Sequence, residues 1–152
     1  MKIIKKLGFV LILIFLTSCG YQSLYKNLEH KFTIKNISLE GERKINQIIN
    51  NQLKQYQGSK NKKNYDIKIK SYSEKKISQK DTAGNAKLYQ LTIKVELEVT
   101  NSDNQTFKEI FIEKDNYEKV SSEFNLNLYE ENITENLSNK ISFDIAKFMS
   151  SL

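Results

Sequence analysis

The chain has 152 residues, of which 39% are hydrophobic, 28% charged and 11% aromatic. This fits one folded domain of ordinary size and excludes a disordered tail or a multi-spanning membrane protein. The formal charge of +6 falls to +3 once Lys2, Lys5 and Lys6 of the amino-terminal segment are set aside, because 21 basic side chains then face 18 acidic ones. That mild excess suits contact with an anionic envelope component. It lacks the concentrated basic stripe of a nucleic-acid binder, and no nucleic acid is expected as a partner.

Met1 to Lys6 is a basic stretch, and Leu7 to Phe15 is an apolar run too short to span a bilayer as a helix. Leu16-Thr17-Ser18-Cys19 follows and resembles the lipobox of bacterial lipoproteins. The resemblance implies cleavage before Cys19, a diacylglyceryl thioether on its thiol and acylation of the new amine, giving a membrane anchor. A lone cysteine in an exported chain has no intramolecular disulfide partner, which favours the lipid role. Several acyl chains, each methylene worth about 0.8 kcal/mol, hold where one would not. Gly20 occupies the position where Asp is associated with inner-membrane retention in many Gram-negative bacteria, which implies outer-membrane sorting. Residues 1–18 thus read as a signal peptide, 19–31 as the lipidated N-terminus and tether, and 32–152 as a single α+β domain.

Phe32 to Glu40 is rich in β-branched and aromatic residues and predicts a first strand, ended by Gly41. From Glu42 to Tyr56, the residues Ile45, Ile48, Ile49, Leu53 and Tyr56 share one face of a helix. A break at Gly58-Ser59 opens a polar stretch to Asn64. Tyr65, Ile67 and Ile69 then alternate with polar residues as a second strand, and a polar loop is expected from Glu74 to Ala86. Tyr89, Leu91, Ile93, Val95, Leu97 and Val99 give the clearest period of two, a long half-buried strand. Asn101-Ser102-Asp103-Asn104 supplies a turn into a strand from Thr106 to Tyr117, forming an antiparallel hairpin. Glu130 to Leu152 carries Ile133, Leu137, Ile141, Ile145, Phe148 and Leu152 at spacings of four and three, a terminal amphipathic helix. The order β-α-β-β-β-α predicts a two-layer α+β sandwich, two helices on one face of a mainly antiparallel four-stranded sheet.

Catalytic signals are sparse. His30, the one histidine, lies in the tether without a companion Cys or His and reads as an incidental surface residue. There is no metal-ligand spacing, phosphate-binding glycine loop or nucleophile elbow. Glu96 and Glu98 fit the polar face of a strand, and Glu130-Glu131 opens a helix, where negative charge meets the dipole. The expectation is a non-enzyme without cofactor or metal.

Three stretches together resemble the LPS-assembly lipoprotein family, LptE. Cys19-Gly20-Tyr21-Gln22-Ser23-Leu24-Tyr25 is similar to the family's C-G-[FWY] start and to its CGFQPLY form, with Ser23 in place of proline. Asn51-Gln52-Leu53 matches an N-Q-L in the first helix. Lys80-Asp81-Thr82-Ala83, followed by Tyr89-Gln90-Leu91, is similar to the family's K-D-T-A loop and E-Y-Q-[LM] strand entry.

The resemblance implies a plug within the LptD β-barrel that assists barrel assembly and binds lipopolysaccharide bound for the outer leaflet. Lys80, matching the K-D-T-A lysine, and Lys87, at the strand entry, are the implied lipopolysaccharide contacts. The segment between Thr82 and Tyr89 is shorter than in well-known members. The family's further basic residue near the start of the last helix has no counterpart between Asn125 and Glu130. The alternative is an outer-membrane-anchored binding or structural lipoprotein of another envelope complex, which needs only the lipobox and a small sandwich.

Overall fold

The computed structural model describes residues 31–58, 63–120 and 122–152. The signal peptide, Cys19 and His30 lie outside the described residues, as does the middle of the polar stretch after Gly58. The elements are β1 (Thr33–Gly41), α1 (Arg43–Leu53) with a 3-10 turn at Lys54–Tyr56, β2 (Asn64–Lys80), β3 (Ala86–Asn101), β4 (Thr106–Glu118) and α2 (Glu123–Ser151). The sheet order is β1-β2-β3-β4. β1 runs parallel to β2, and the other two pairings are antiparallel. The order β-α-β-β-β-α and the α+β class are as the sequence predicts.

Alternation decides which side of the sheet is covered. Ile67 and Ile69 of β2, and Leu91, Ile93, Val95, Leu97 and Val99 of β3, point into one core with Ile45, Ile49 and Leu53 of α1. From α2 come Ile133, Leu137, Ile141, Ile145 and Met149. Each such aliphatic side chain contributes about 1.5–3 kcal/mol by leaving water. The predicted stripe of α2 is buried in its first four members, while Phe148 and Leu152 pack at the margin of the core. Ser138 and Ser142 are buried in α2 as well, and their hydroxyls donate to the carbonyls of Thr134 and Ser138, four residues back in each case. Small satisfied side chains there suit a close approach of α1, and Gln52 Nε2 donates to Asn139 Oδ1 between the two helices at 3.0 Å.

The parallel pairing of β1 and β2 requires a crossover, which α1 provides. Its entry is pinned at Ser71, a residue 1% exposed. Glu42 N donates to the Ser71 carbonyl at 3.2 Å, and the Ser71 hydroxyl donates to Asn46 Oδ1 at 2.8 Å. Asn46 Nδ2 donates in turn to the Glu40 carbonyl at 3.0 Å. Gly41 holds φ +93°, and a Cβ there would lie 2.0 Å from the Ser71 carbonyl oxygen. Only glycine fits, both for the backbone angle and for the space. The glycine expected to end the strand is paired with Ser71 as its last residue.

Two boundaries differ from expectation. The stretch expected as a polar loop from Glu74 to Ala86 is strand as far as Lys80, paired with β3 from Tyr65↔Asn101 to Lys80↔Ala86 with register shifts between Ile77 and Lys80. Residues 72–80 are exposed on both faces, so no apolar alternation marks them. The last helix begins at Glu123 rather than near Glu130. Ser122 caps it, its hydroxyl accepting from Asn125 N at 3.4 Å, and the first two turns lie beyond most of the core, where the burial pattern is weak.

Replacing Gly41 with alanine should destabilise the fold by at least about 2 kcal/mol in urea denaturation, through strain and a clash with the β2 backbone.

Candidate functional site

Because α1 enters at Ser71 and runs back toward Asn64, it covers only the lower half of β2. The upper half of the β2–β3 hairpin stands beyond it, screened in part by the first turns of α2. This end carries both lysines singled out from the sequence. Lys80 closes β2 and Lys87 sits one residue into β3, flanking the turn at residues 81–85. Both are exposed, and neither forms an ion pair among the described residues. The turn that brings them together is held by Asp81. Its Oδ1 accepts the backbone N–H groups of Ala83 at 2.9 Å and Asn85 at 2.8 Å. Gly84 supplies the positive φ of +85° that the reversal needs. The Asn85 backbone bond, with its neighbours, holds the Asp81 carboxyl below the ordinary carboxylate value. Asp81 is thus engaged with the turn's own amides. Lys119 N donates to the Lys87 carbonyl at 3.0 Å, joining the end of β4 to the same tip.

Beneath the turn is a network that the sequence reading did not identify. The Lys75 ammonium pairs with Glu130 Oε1 and lies 4.5 Å from the centre of the Tyr89 ring and 6.0 Å from that of Tyr117. The Tyr117 hydroxyl donates to the same Glu130 oxygen at 2.8 Å. Tyr89, Tyr117 and Tyr129 are in ring contact, with centroids 5.6 and 6.1 Å apart. The signal available was the pairing of Tyr89 with Tyr117 across the predicted hairpin. Lys75 could not be found because its segment reads as loop.

The segments that meet here also carry exposed apolar side chains: Phe124 is 76% exposed, and Ile77, Val120, Leu128 and Tyr129 are exposed as well. Phe124 and Leu128 are four residues apart on α2 and share a face. The elements that come together at this end thus carry two ammonium groups without ion pairs and several exposed apolar side chains, a chemistry suited to an anionic amphiphile.

A groove of about 570 Å³ lies between α1 and α2, lined by the amides of Gln52, Gln55, Asn136 and Asn139 together with Tyr56, Phe143 and Ala146. No group of three or more His, Cys, Asp and Glu residues that could hold a metal occurs among the described residues. Nor is any helix among them long and apolar enough to cross a membrane.

Burial, reinforced by Glu130, raises the Tyr117 hydroxyl well above the usual tyrosine value of 10.0. A raised folded-state value means that this stabilisation is complete below about pH 10 and is lost as pH rises toward that value. Tyr117→Phe should cost about 1 kcal/mol at neutral pH. Denaturation curves at pH 8 and pH 11 should show the variant losing less stability between them than the unaltered protein.

No protein-family model matches the sequence, and no curated protein does. Solved structures do. Rare lipoprotein B from Shewanella oneidensis superposes with a TM-score of 0.54 at 12% identity, over 77% of this chain and 98% of that one. A minor lipoprotein from Acinetobacter baumannii superposes with a TM-score of 0.51 at 14% identity, over 76% of this chain and 94% of that one. At such identities the likeness is one of architecture: the chain has the fold of these two small lipoproteins.

Proposed function

We propose that this protein is an outer-membrane lipoprotein, anchored through Cys19, that plugs and helps assemble an LptD-like β-barrel and aids delivery of lipopolysaccharide to the outer leaflet. The observation that carries the reading is that Lys80 and Lys87 flank one hairpin turn, at the end of the sheet to which β4 returns before α2 begins with exposed Phe124 and Leu128. Lipopolysaccharide presents phosphates and carboxylates next to acyl chains, and this surface offers a counterpart to each. Charge-assisted hydrogen bonds would fix the anionic groups, and burial of hydrocarbon would add affinity.

Two further observations support it. The fold is that of the two lipoproteins above, and the lipobox supplies the means of attachment. The uncovered sheet face carries the ion pairs Glu40–Lys68, Lys94–Glu96 and Glu98–Lys108, beside exposed Ile110 and Ile112. Such a face is compatible with the wetted interior of a wide barrel. The proposed role is non-catalytic and calls for no cofactor.

Affinity capture of the lipidated protein from solubilised outer membranes should recover a β-barrel partner in equal amount. Its depletion should leave that barrel misassembled and lipopolysaccharide retained inside the cell. Recovery of a different envelope complex, with normal surface lipopolysaccharide, would favour the alternative of a binding or structural lipoprotein. Cys19→Ala should yield an uncleaved or soluble precursor on fractionation. The double substitution Lys80→Ala and Lys87→Ala should weaken lipopolysaccharide binding about tenfold, the order expected for two exposed charge contacts, with the circular dichroism spectrum unchanged.

A further inference from the structure

The two helices lie side by side and run in the same direction. Lys44 pairs with Glu131, and eight residues further along both helices Gln52 bonds Asn139. α1 then ends at Leu53 and its chain turns off through Lys54–Tyr56, while α2 continues to Ser151. The groove between them opens at this divergence. Gln57 bridges to Ile34 at the start of β1, so the groove lies toward the foot of the sheet, away from Lys80 and Lys87. Its floor is kept low by Ser142 and Ala146, both buried and too small to fill the space. Each helix contributes a ring. Tyr56 is fixed by stacking on Phe32, with centroids 4.7 Å apart, and Phe143 stays 37% exposed.

The polar lining is mostly of one chemical kind, since each carboxamide of Gln52, Gln55, Asn136 and Asn139 both donates and accepts hydrogen bonds. Gln52 Nε2 donates to Asn139 Oδ1, and Gln55 Nε2 donates to the main-chain carbonyl of Gln52. Those two bonds leave the side-chain oxygens of Gln52 and Gln55, the Asn139 nitrogen and the whole Asn136 carboxamide without a partner among the described residues. Lys140 is the charged residue of the lining, and its ammonium is taken by Glu113 at 2.7 Å. An anion therefore finds no unpaired cation here. A pure hydrocarbon guest would strip water from the amides and return no hydrogen bond.

A pyranose suits both features of the lining. Its hydroxyl groups donate and accept around the rim, as carboxamides do, and its C–H faces lie well on aromatic rings. We infer that this groove binds a neutral oligosaccharide about two sugar rings long. The volume of about 570 Å³ falls within the roughly 300–1,000 Å³ of small-molecule sites. Phe143 supplies the face on which one ring lies. Asn136 and Asn139 meet hydroxyls from the α2 side, and Gln52 and Gln55 meet them from the α1 side. The site is separate from the hairpin tip, so the inference stands independently of the lipopolysaccharide reading.

The test titrates cellobiose into the full-length protein, held in a detergent that carries no sugar. The side-chain amide resonances of Gln52, Gln55, Asn136 and Asn139 should shift saturably in nitrogen-15 NMR spectra, with a Kd of about 1 mM. Phe143→Ala and Asn136→Ala, with folding verified by circular dichroism, should each raise that Kd about fivefold, as expected for one lost ring contact or hydrogen bond. Asn132→Ala, exposed on α2 outside the groove, should leave it unchanged. Three results would overturn the inference. They are no saturable shift at about 20 mM cellobiose, undiminished binding by both groove variants, or equal shifts from the neutral tetrapeptide Ser-Gly-Ser-Gly, which would mark a peptide groove.

Discussion

The structure depends on the contact between Gly41 and the Ser71 carbonyl. A parallel pair of strands cannot be joined by a tight turn, so the chain must leave the sheet, travel as a helix and return. At Gly41 it leaves with no side chain in the way, and in the buried corner the Ser71 hydroxyl donates to Asn46 Oδ1 while Asn46 Nδ2 donates to the Glu40 carbonyl. That contact fixes the register of β1 on β2 and the height at which α1 begins to cover the sheet. Below Ser71 the molecule has two layers and a dry core; above it β2 is wet on both faces.

In the upper part of the sheet, polar and aromatic contacts supplement the core formed by Leu91 and Ile93. Lys75 takes the place that an aliphatic residue holds lower down, lying against the rings of Tyr89 and Tyr117 while its ammonium pairs with Glu130. Glu130 serves two partners with one oxygen, accepting the Tyr117 hydroxyl as well. The first turns of α2 are thus held to the sheet by polar and aromatic contacts. That leaves Phe124 and Leu128 on the outside, where they form the apolar part of the proposed lipid surface.

Most of the fold was legible because most of it is half-buried. The alternation from Tyr89 to Val99 and the stripe from Ile133 to Ile145 record a surface with one wet and one dry side, and both were located correctly. The same reasoning failed where that asymmetry disappears. Residues 74–80 form a strand on pairing alone, and a segment exposed on both faces carries no period to detect. The start of α2 at Glu123 was missed for the related reason that its apolar residues face outward. Lys80 is singled out by its match to the K-D-T-A motif and Lys87 by its place at the strand entry, and the two flank one turn. The Lys75–Tyr117–Glu130 network joins residues 13 to 55 apart in sequence, and only the register of three strands and a helix assembles it.

The joint at Gly41 also gives the molecule a polarity along its length. β1 begins at Thr33 opposite Asn64, at the foot of β2, whereas Lys80 stands at the head of the same strand. At about 3.3 Å per residue, those 17 residues separate the two ends by roughly 50 Å. Chain preceding Thr33 therefore joins the sheet at the foot. The hairpin tip stands away from that foot by more than the ~30 Å hydrocarbon core of a bilayer. That length is set by a pair of strands that outrun the first helix covering them.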